Sequence, residues 1–486
     1  MTDLTIRALN DVHIQVVCEP GLAYELSEFF TFTVPGAKFM PSYKSRYWDG
    51  KMRLFNLNTG IIYRGLLSHI LQFARERDYS VAVSDDIQLT TQVSENEFIS
   101  FVKKLDLPHK PRDYQLKALL HAIRTRRHVF LSPTSSGKSL MIYMISMWRL
   151  IVEKQDKVVI IVPSIGLVNQ MAADFVDYGC PEEMIQKIMG GKSKIIEAPI
   201  TITTWQSIVD LPPAWFAQFT TVFGDEAHTW KAKSLTKIME KLKNCPMKLG
   251  LTGTLDGSTV NKLVLEGLFG PVIQIEKTAN LMKNKQVAQL QVQCIVLKYT
   301  DEEKKLVSKM SYQEEVDFLV RHQRRLDFVA KLALTRTGNT LVLFQYVDKH
   351  GKPLFEKIKT LAHDQRKVFF VSGGTDADQR EYVRRIVETE NDAIIVASYG
   401  VFSTGISIKR LHNAIAASPT KSIIRLLQSI GRILRIGTEK DSATWYDIAD
   451  DFSWKSKLNY TLKHFGERFR IYNSENFDHK VVTKEI

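Results

Sequence analysis

The sequence is poor in cysteine: Cys18, Cys180, Cys245 and Cys294 are its only four, and none sits in a Cys-x-x-Cys pair. A disulfide framework, an iron–sulfur cluster and a thiolate zinc site are thereby excluded, and a reducing compartment fits best. It also lacks an apolar run of about 18 residues, the length a bilayer demands, so no membrane span is expected. Its first residues, MTDLTIRALNDVHIQ, show no basic stretch followed by an apolar one, so no secretory leader is read there and a cytoplasmic protein is expected. There is no short-period repeat and no low-complexity segment.

The chain has 486 residues, 44% apolar and 24% charged, the profile of a soluble globular protein. At roughly 150 residues per domain, about three domains are expected. Lys and Arg number 66 against 53 Asp and Glu, a net charge of +13. That excess suits a polyanion partner without proving one.

Residues 1–105 are nearly neutral, and strand-like stretches (HIQVVCE, KMRLFNL, YSVAVS) alternate there with helix-like ones. They read as a small α+β DNA-binding domain. LDLPHKPRD, near residues 105–112, reads as a linker. Beyond it, apolar β-branched runs alternate with amphipathic stretches. HVFLS, KVVIIVP, ITITTW, TTVFGDEAH and KLGLTGT form one set, and TLVLFQY, KVFFVSG and DAIIVAS a second. This is the pattern of two successive doubly wound α/β domains with parallel sheets, over 112–300 and 301–450. Residues 451–486 read as a helical segment packed on the second.

After the strand HVFL comes Ser132-Pro133-Thr134-Ser135-Ser136-Gly137-Lys138-Ser139, then a helical stretch. Strand, loop and helix are the context a phosphate-binding loop requires. Backbone N–H groups of Thr134, Ser135, Ser136 and Gly137 would face the phosphates. Lys138 would reach the β- and γ-phosphates, and the Ser139 hydroxyl would ligate Mg²⁺. Ser132 stands where the general pattern has glycine. Further on, the strand TTVFG runs into Asp225-Glu226-Ala227-His228. Adjacent carboxylates at the end of an apolar strand are costly unless they have a task. Asp225 would hold Mg²⁺ and Glu226 would polarise the attacking water.

Asp-Glu-Ala-His after PTSSGKS resembles the superfamily 2 helicases and translocases of DEAH-box type. The remaining family motifs follow in order along residues 112 to about 450. Arg112-Asp113-Tyr114-Gln115 resembles the Q-motif, which implies that Gln115 contacts adenine. Val162-Pro163-Ser164 with Gln170, and Thr204-Trp205-Gln206, resemble motifs Ia and Ib, which implies DNA backbone contacts by Pro163, Ser164, Gln170, Thr204 and Gln206. Thr252-Gly253-Thr254 resembles motif III, implying with His228 the coupling of hydrolysis to movement. Phe344-Gln345-Tyr346 and Ser403-Thr404-Gly405-Ile406-Ser407 resemble motifs IV and V, implying that Gln345 and Thr404 touch DNA and Gly405 touches ATP. Gln428 through Arg435 resembles motif VI, implying catalytic roles for Gln428, Arg432 and Arg435, the last as the stronger arginine finger. Each short motif is weak alone, since a Thr-Gly-Thr is usually a turn; the ordered set is strong. Together they imply an ATP-dependent enzyme with Mg²⁺.

The narrower likeness runs along the whole chain, through FTVPGAKFMPSYKSRYWDGKMRLFN, to a helicase of phage recombination. It implies a motor on branched and double-stranded DNA: Holliday-junction branch migration, fork regression and R-loop unwinding, in recombination, replication and repair. RNA–DNA hybrids as partners, a monomer in solution and residence in the host cytoplasm are further expectations. A DEAH-box RNA helicase is the alternative that the motor motifs leave open. A binding module with a dead motor conflicts with the intact Lys138, Asp225, Glu226, Gln428 and Arg435. A restriction-enzyme motor subunit would need a nuclease block that is not recognisable here.

Between Lys38 and Arg64 stand six basic residues and one acid, with Tyr43, Tyr47 and Trp48 interleaved. Lys44, Arg46, Trp48, Lys51 and Arg53 are the candidate DNA contacts of this block, with the core as the alternative place for Trp48 and a hairpin turn for Asp49-Gly50. Trp454–Tyr472, with Lys455, Lys457, Lys463, Arg468 and Arg470, is a second candidate surface or, equally, a packed amphipathic helix.

Overall fold

A computed structural model describes the chain except for Met1, Gln88, Leu89, Asp156, Lys192, Lys231, Asp364, Gly405, Ile406, Ser407, Thr438 and Glu439, and except for the side chains of Ala377, Ser403 and Thr404. The chain forms two compact units. One comprises Met1–Ser132 and Gly137–Ile275, the other Pro133–Ser136 and Glu276–Ile486. No helix among the described residues is long and apolar enough to cross a membrane.

The first unit begins with a mixed sheet of β1 (Leu4–Ala8), β2 (His13–Cys18), β5 (Ile61–Tyr63) and β6 (Val81–Val83), in the order β5-β2-β1-β6. Only the β1–β6 pairing is parallel. A separate antiparallel pair joins β3 (Thr31–Thr33) to β4 (Lys51–Arg53). Helices Pro20–Phe29 and Leu67–Arg75 cover the sheet, and Leu4, Ile6, Ile14, Leu26, Ile70 and Phe73 form its core.

A seven-stranded, all-parallel sheet follows. Its strands are β7 (Arg127–Leu131), β8 (Val158–Val162), β9 (Ile185–Ile188), β10 (Ile200–Thr204), β11 (Thr221–Asp225), β12 (Met247–Thr252) and β13 (Val272–Gln274), in the order β13-β7-β12-β11-β8-β10-β9. Four of these, β8, β10, β11 and β12, are buried at every position. That explains the unbroken apolar run of β8, VVIIV: helices cover both faces, and the threonines of β10 and Lys248 of β12 are buried between them as well.

The second unit repeats the plan. Its seven parallel strands are β14 (Gln289–Lys298), β15 (Thr340–Phe344), β16 (Val368–Val371), β17 (Ile394–Ser398), β18 (Asn413–Ala416), β19 (Ser442–Asp451) and β20 (Asp478–Glu485), in the order β16-β17-β15-β18-β19-β14-β20. The expected fold class, two RecA-like sheets behind a small α+β domain, is what the chain adopts.

The packing moves the expected boundaries. Helix Glu95–Lys104 falls within the expected N-terminal block of residues 1–105, but Val93, Phe98 and Phe101 belong to the core under the first parallel sheet. Arg124 also donates to the Val93 carbonyl (2.8 Å), so the lobe takes in the chain from about Thr91. A boundary at residue 300 would leave β14, the second sheet's long inner strand, in the wrong lobe. The expected helical tail contains helix Tyr460–Ser474, yet it ends as β20, which pairs with β14 over Gln291–Lys298.

The N-terminal block is docked on the first lobe by specific contacts. The Asp11 carboxylate receives Arg64 (3.1 Å) and Arg127 (3.6 Å). The Tyr63 hydroxyl donates to Glu240 (2.8 Å), and His69 Nε2 lies 2.9 Å from Glu266. Leu263 enters the block's own core. Gly65 makes the closest approach: a Cβ there would lie 2.0 Å from the Glu266 carbonyl oxygen. Burial pulls the Arg127 guanidinium down to about 10 and the Lys248 ammonium to about 7.

Candidate functional site

The residues singled out by motif fall at the C-terminal ends of the parallel strands, where doubly wound sheets bind ligands. The phosphate-binding loop leaves β7. Ser132 N–H bonds the Thr252 carbonyl at the end of β12 (2.8 Å), which fixes the loop's start. Ser136 N–H bonds the Pro133 carbonyl (3.3 Å), closing a turn, and Ser135 has φ of +69°. Gly137, with φ of +78°, caps helix Lys138–Met147. Only glycine serves there. The positive φ strains any side chain, and a Cβ would lie 2.4 Å from Gln115 Nε2. Lys138 Nζ donates to the Ser132 carbonyl (3.3 Å). Ser139 Oγ lies 3.0 Å from the Tyr178 hydroxyl, a neighbour that no motif flagged. Thr134 is half-buried.

Gln115 is buried, and both ends of its amide are engaged by the chain. Its Oε1 accepts Arg112 N–H (2.8 Å), and its Nε2 donates to the Gly137 carbonyl (3.3 Å). This ties the Q-motif helix, Asp113–Thr125, to the phosphate loop. An adenine contact by Gln115 would exchange these partners.

The carboxylates follow β11. Asp225 is buried, and burial, then the Glu226 carboxylate, push its acid up to about 6, while Lys138 pulls it down. Glu226 occupies the left-handed region, with φ of +48°. His228 Nδ1 lies 3.3 Å from Glu226 Oε2 and 2.9 Å from Thr252 Oγ1. Thr252 Oγ1 donates to the Thr254 carbonyl (3.0 Å), and Gly253 lies between them. The expected coupling residues are thus in direct contact. Two unpredicted aromatics hold the floor. Trp230 Nε1 donates to the Asp225 carbonyl (3.3 Å), and Phe269 lies over the paired Gly224 and Gly250 of β11 and β12. Neither glycine could gain a Cβ without meeting that ring.

Motifs Ia and Ib sit on adjacent strands of the same sheet, β8 and β10. Pro163 and Ser164 follow β8, with Ser164 capping helix Ile165–Asp177, and the Gln170 side chain is exposed on that helix. Gln206 is exposed after β10. Thr204 is buried, its hydroxyl 2.9 Å from Ser207 Oγ.

In the second unit, Gln345 follows β15 with its side chain exposed. Its N–H donates to Ser418 Oγ (3.0 Å), and His350 Nδ1 lies 2.8 Å from the same oxygen. Gly405, with Ile406 and Ser407, lies outside the described residues, and so does the side chain of Thr404. Gln428 and Arg432 lie half-buried on helix Ile423–Ile433, and the Arg432 guanidinium stands 5.9 Å from the Phe402 ring centroid. Arg435 lies beyond the helix end, because the helix closes at Leu434. Lys440, buried, holds that end: its ammonium donates to the carbonyls of Ile433, Arg435 (3.1 Å) and Lys409 (3.2 Å).

The basic stretch of the N-terminal block divides. Lys44, Arg46 and Lys51 are exposed. Arg53 is paired with Asp49 (2.6 Å), and Arg64 turns to Asp11. Trp48 is half-buried, donating its Nε1–H to the Lys51 carbonyl (2.7 Å). In the C-terminal stretch, Arg468 and Tyr472 are core and not surface. Arg468 forms a buried two-bond fork with Asp447 (2.8 and 2.8 Å), Tyr472 donates to the same carboxylate (2.7 Å), and helix Tyr460–Ser474 packs on β19.

Three family models match the chain in series: the N-terminal domain of the DNA helicase UvsW over residues 3–84, the Type III restriction enzyme res subunit over 108–257, and the helicase conserved C-terminal domain over 324–437. The ATP-dependent DNA helicase UvsW of Enterobacteria phage T4 is 35% identical over 507 aligned positions, covering 100% of both chains. The DNA 3'-5' translocase XPB2 of Sulfurisphaera tokodaii is 24% identical and covers 67% of this chain and 78% of its own length. The crystal structure of T4 UvsW aligns over 100% of both chains, with a TM-score of 0.53 and 32% identity. A fragment of a type I restriction enzyme HsdR subunit from Vibrio vulnificus shares the fold, with a TM-score of 0.60 at 18% identity over 81% of this chain and 72% of that one. With its site geometry, its three domain matches and its end-to-end likeness to the T4 protein, this chain belongs to the UvsW family of ATP-dependent DNA helicases.

Proposed function

We propose that this helicase acts on branched DNA, moving the branch point of Holliday junctions, regressing forks and unwinding R-loops in recombination, replication and repair. The observation that carries this reading is the docked N-terminal block, which the T4 helicase shares from end to end. A block fixed to the motor lobe can hold duplex beside the strand the motor tracks. RNA–DNA hybrids follow as substrates through R-loops. We assign it a monomeric state in solution and, as a phage helicase, the host cytoplasm.

In this reading Lys138 and the loop amides from Thr134 to Ser139 bind the ATP phosphates, Gln115 the adenine, and Gly405 the nucleotide. Glu226 orients the attacking water, and Gln428, Arg432 and Arg435 stabilise charge in the transition state. His228 and Thr252 to Thr254 link the state of Glu226 to movement. Pro163, Ser164, Gln170, Thr204, Gln206, Gln345 and Thr404 line the strand's track, and Lys44, Arg46, Trp48, Lys51 and Arg53 face duplex. Mg²⁺ suits the residues present: Ser139 and Asp225 are hard oxygen donors, and burial, then the neighbouring Glu226 carboxylate, make Asp225 a weaker acid, a charge that a cation would stabilise. When bound, the ion would neutralise phosphate charge there.

The test is ATP hydrolysis and strand separation on a panel of forks, Holliday junctions, R-loops, plain duplex and RNA duplex, with Lys138→Ala as the inactive control. Branched DNA should be remodelled fastest. Equal rates on plain duplex, or preference for RNA duplex, would sink the reading.

A further inference from the structure

Tyr178 stands where two helices of the first lobe meet. It caps helix Ile165–Asp177, which Ser164 opens and which carries Gln170, both proposed above to touch DNA. Its N–H bonds the Asp174 carbonyl (3.0 Å), which fixes where the ring leaves the backbone. The ring lies against Tyr143, centroids 5.6 Å apart, and His109 meets it edge-on at 6.4 Å. Phe175, one turn earlier, meets the same Tyr143 edge-on at 5.2 Å. Ser139 and Tyr143 are four residues apart on helix Lys138–Met147 and so share a face. One side chain therefore reaches both: the Tyr178 ring packs on Tyr143, and its hydroxyl lies 3.0 Å from Ser139 Oγ. Packing alone would be served by phenylalanine. A hydroxyl in this half-buried place costs desolvation unless it has a partner, and Ser139 is that partner.

A serine hydroxyl has one proton and two lone pairs. To give a lone pair to a cation it must send its proton elsewhere, and it must stay in one of its three staggered rotamers. Tyr178 meets both needs. Burial pushes its phenol up, so it keeps its own proton at neutral pH and its oxygen can accept another. Groups that hold a metal ligand from behind typically contribute about 10- to 100-fold to the ion's affinity.

We propose that Tyr178 is a positioning residue of the ATP site: its hydroxyl accepts the Ser139 proton and turns the serine's lone pair toward the Mg²⁺ that accompanies the nucleotide. This rests on the reading of Ser139 as a cation ligand and adds to it the group that orients the ligand. The phenol touches neither nucleotide nor ion in this role. It acts through the serine alone.

The experiment uses the full chain carrying Tyr178→Phe, Ser139→Ala, or both. The probe is ADP with an N-methylanthraniloyl fluorophore on its ribose, titrated at equilibrium in EDTA and again in magnesium. The quantity read is the affinity gained on adding magnesium. Tyr178→Phe should cut that gain about tenfold or more and leave binding in EDTA unchanged. Ser139→Ala should cut it as well, and the double variant should lose no more than Ser139→Ala alone, because the phenol acts through the serine. The magnesium concentration that half-saturates ATP hydrolysis should rise in Tyr178→Phe. Its melting temperature should stay near wild type, since the ring and its packing remain. A full magnesium gain in Ser139→Ala overturns the ligand reading of Ser139, and this inference with it. A loss in Ser139→Ala with a full gain in Tyr178→Phe overturns this inference alone and leaves the phenol a fastening between two helices. A larger gain in Tyr178→Phe also overturns it, since the phenol would then hold the serine away from the ion. Equal losses in EDTA and in magnesium overturn it too, since they would mean a general distortion of the phosphate loop.

Discussion

Phe101 meets Trp148 edge-on, ring centroids 5.1 Å apart, inside the core of the lobe that carries the phosphate loop. Phe98 lies beside the same ring at 6.0 Å. The helix that ends just before the expected linker therefore holds the ATP-binding lobe together. A chain begun at residue 106 should unfold or aggregate, whereas one begun at residue 85 should fold and bind ATP. Phe101→Ala should cost about 3–5 kcal/mol of stability, as large-to-small core changes do. Denaturant melting followed by tryptophan fluorescence checks this; a loss under about 1 kcal/mol would mean the ring is dispensable.

The contact of His228 with both Glu226 and Thr252 should carry information more than chemistry. Thr252→Val keeps the side chain's size and removes the hydroxyl. ATP turnover should fall by less than about tenfold, while base pairs separated per ATP fall much further. Parallel losses in both would place Thr252 in the hydrolysis step itself.

Arg435→Ala should lower turnover by about a thousandfold or more with little change in ATP affinity. Lys440→Met tests the support beneath it. With three carbonyls left without their donor, turnover should fall while KM for ATP holds, and Lys440→Arg should recover part of the loss. A KM effect larger than the turnover effect would remove Lys440 from the positioning of Arg435.

Two buried histidines set an acid limit on the fold. Burial pulls His350 down to about 3 and His128 to about 4 from the usual 6.5. The unfolded chain takes up these protons and the folded chain does not, so stability falls as pH drops below 6.5. Each residue contributes a slope approaching about 1.4 kcal/mol per pH unit until its folded value is reached. His350→Asn should make the pH dependence of stability between 6.5 and 5 shallower by close to one proton. An unchanged slope would show that His350 is protonated in the fold.

The strands were legible where burial on both faces leaves an unbroken apolar run, as in VVIIV and TLVLF. The motif residues were legible because their order along the chain is itself a pattern. What could not be read depends on contacts distant in sequence. The strand β20 reads DHKVVTKE, with nearly every position exposed, so no apolar period announces it. Arg468 looks like a surface cation until Asp447 of β19 is placed opposite it. The Gln115 amide reaches the phosphate loop only through the fold, and Trp230 and Phe269 show their purpose only above two glycines on neighbouring strands. Helix Glu95–Lys104 precedes two prolines and a polar run, which hid its allegiance to the lobe that follows.

The order of strands in the second sheet has a consequence for how the protein is made. The first strand of that lobe to leave the ribosome, β14, lies between the last two, β19 and β20. Until residues 442–485 are synthesised, β14 has neither neighbour, and an apolar strand such as CIVL stands with both edges open to wrong partners. The lobe therefore closes only once residues 442–485 have emerged, and loops of some 150 to 190 residues must be shut in the process, a slow step by its topology. A pulse-labelled chain should accordingly gain protease resistance in its first lobe well before its second.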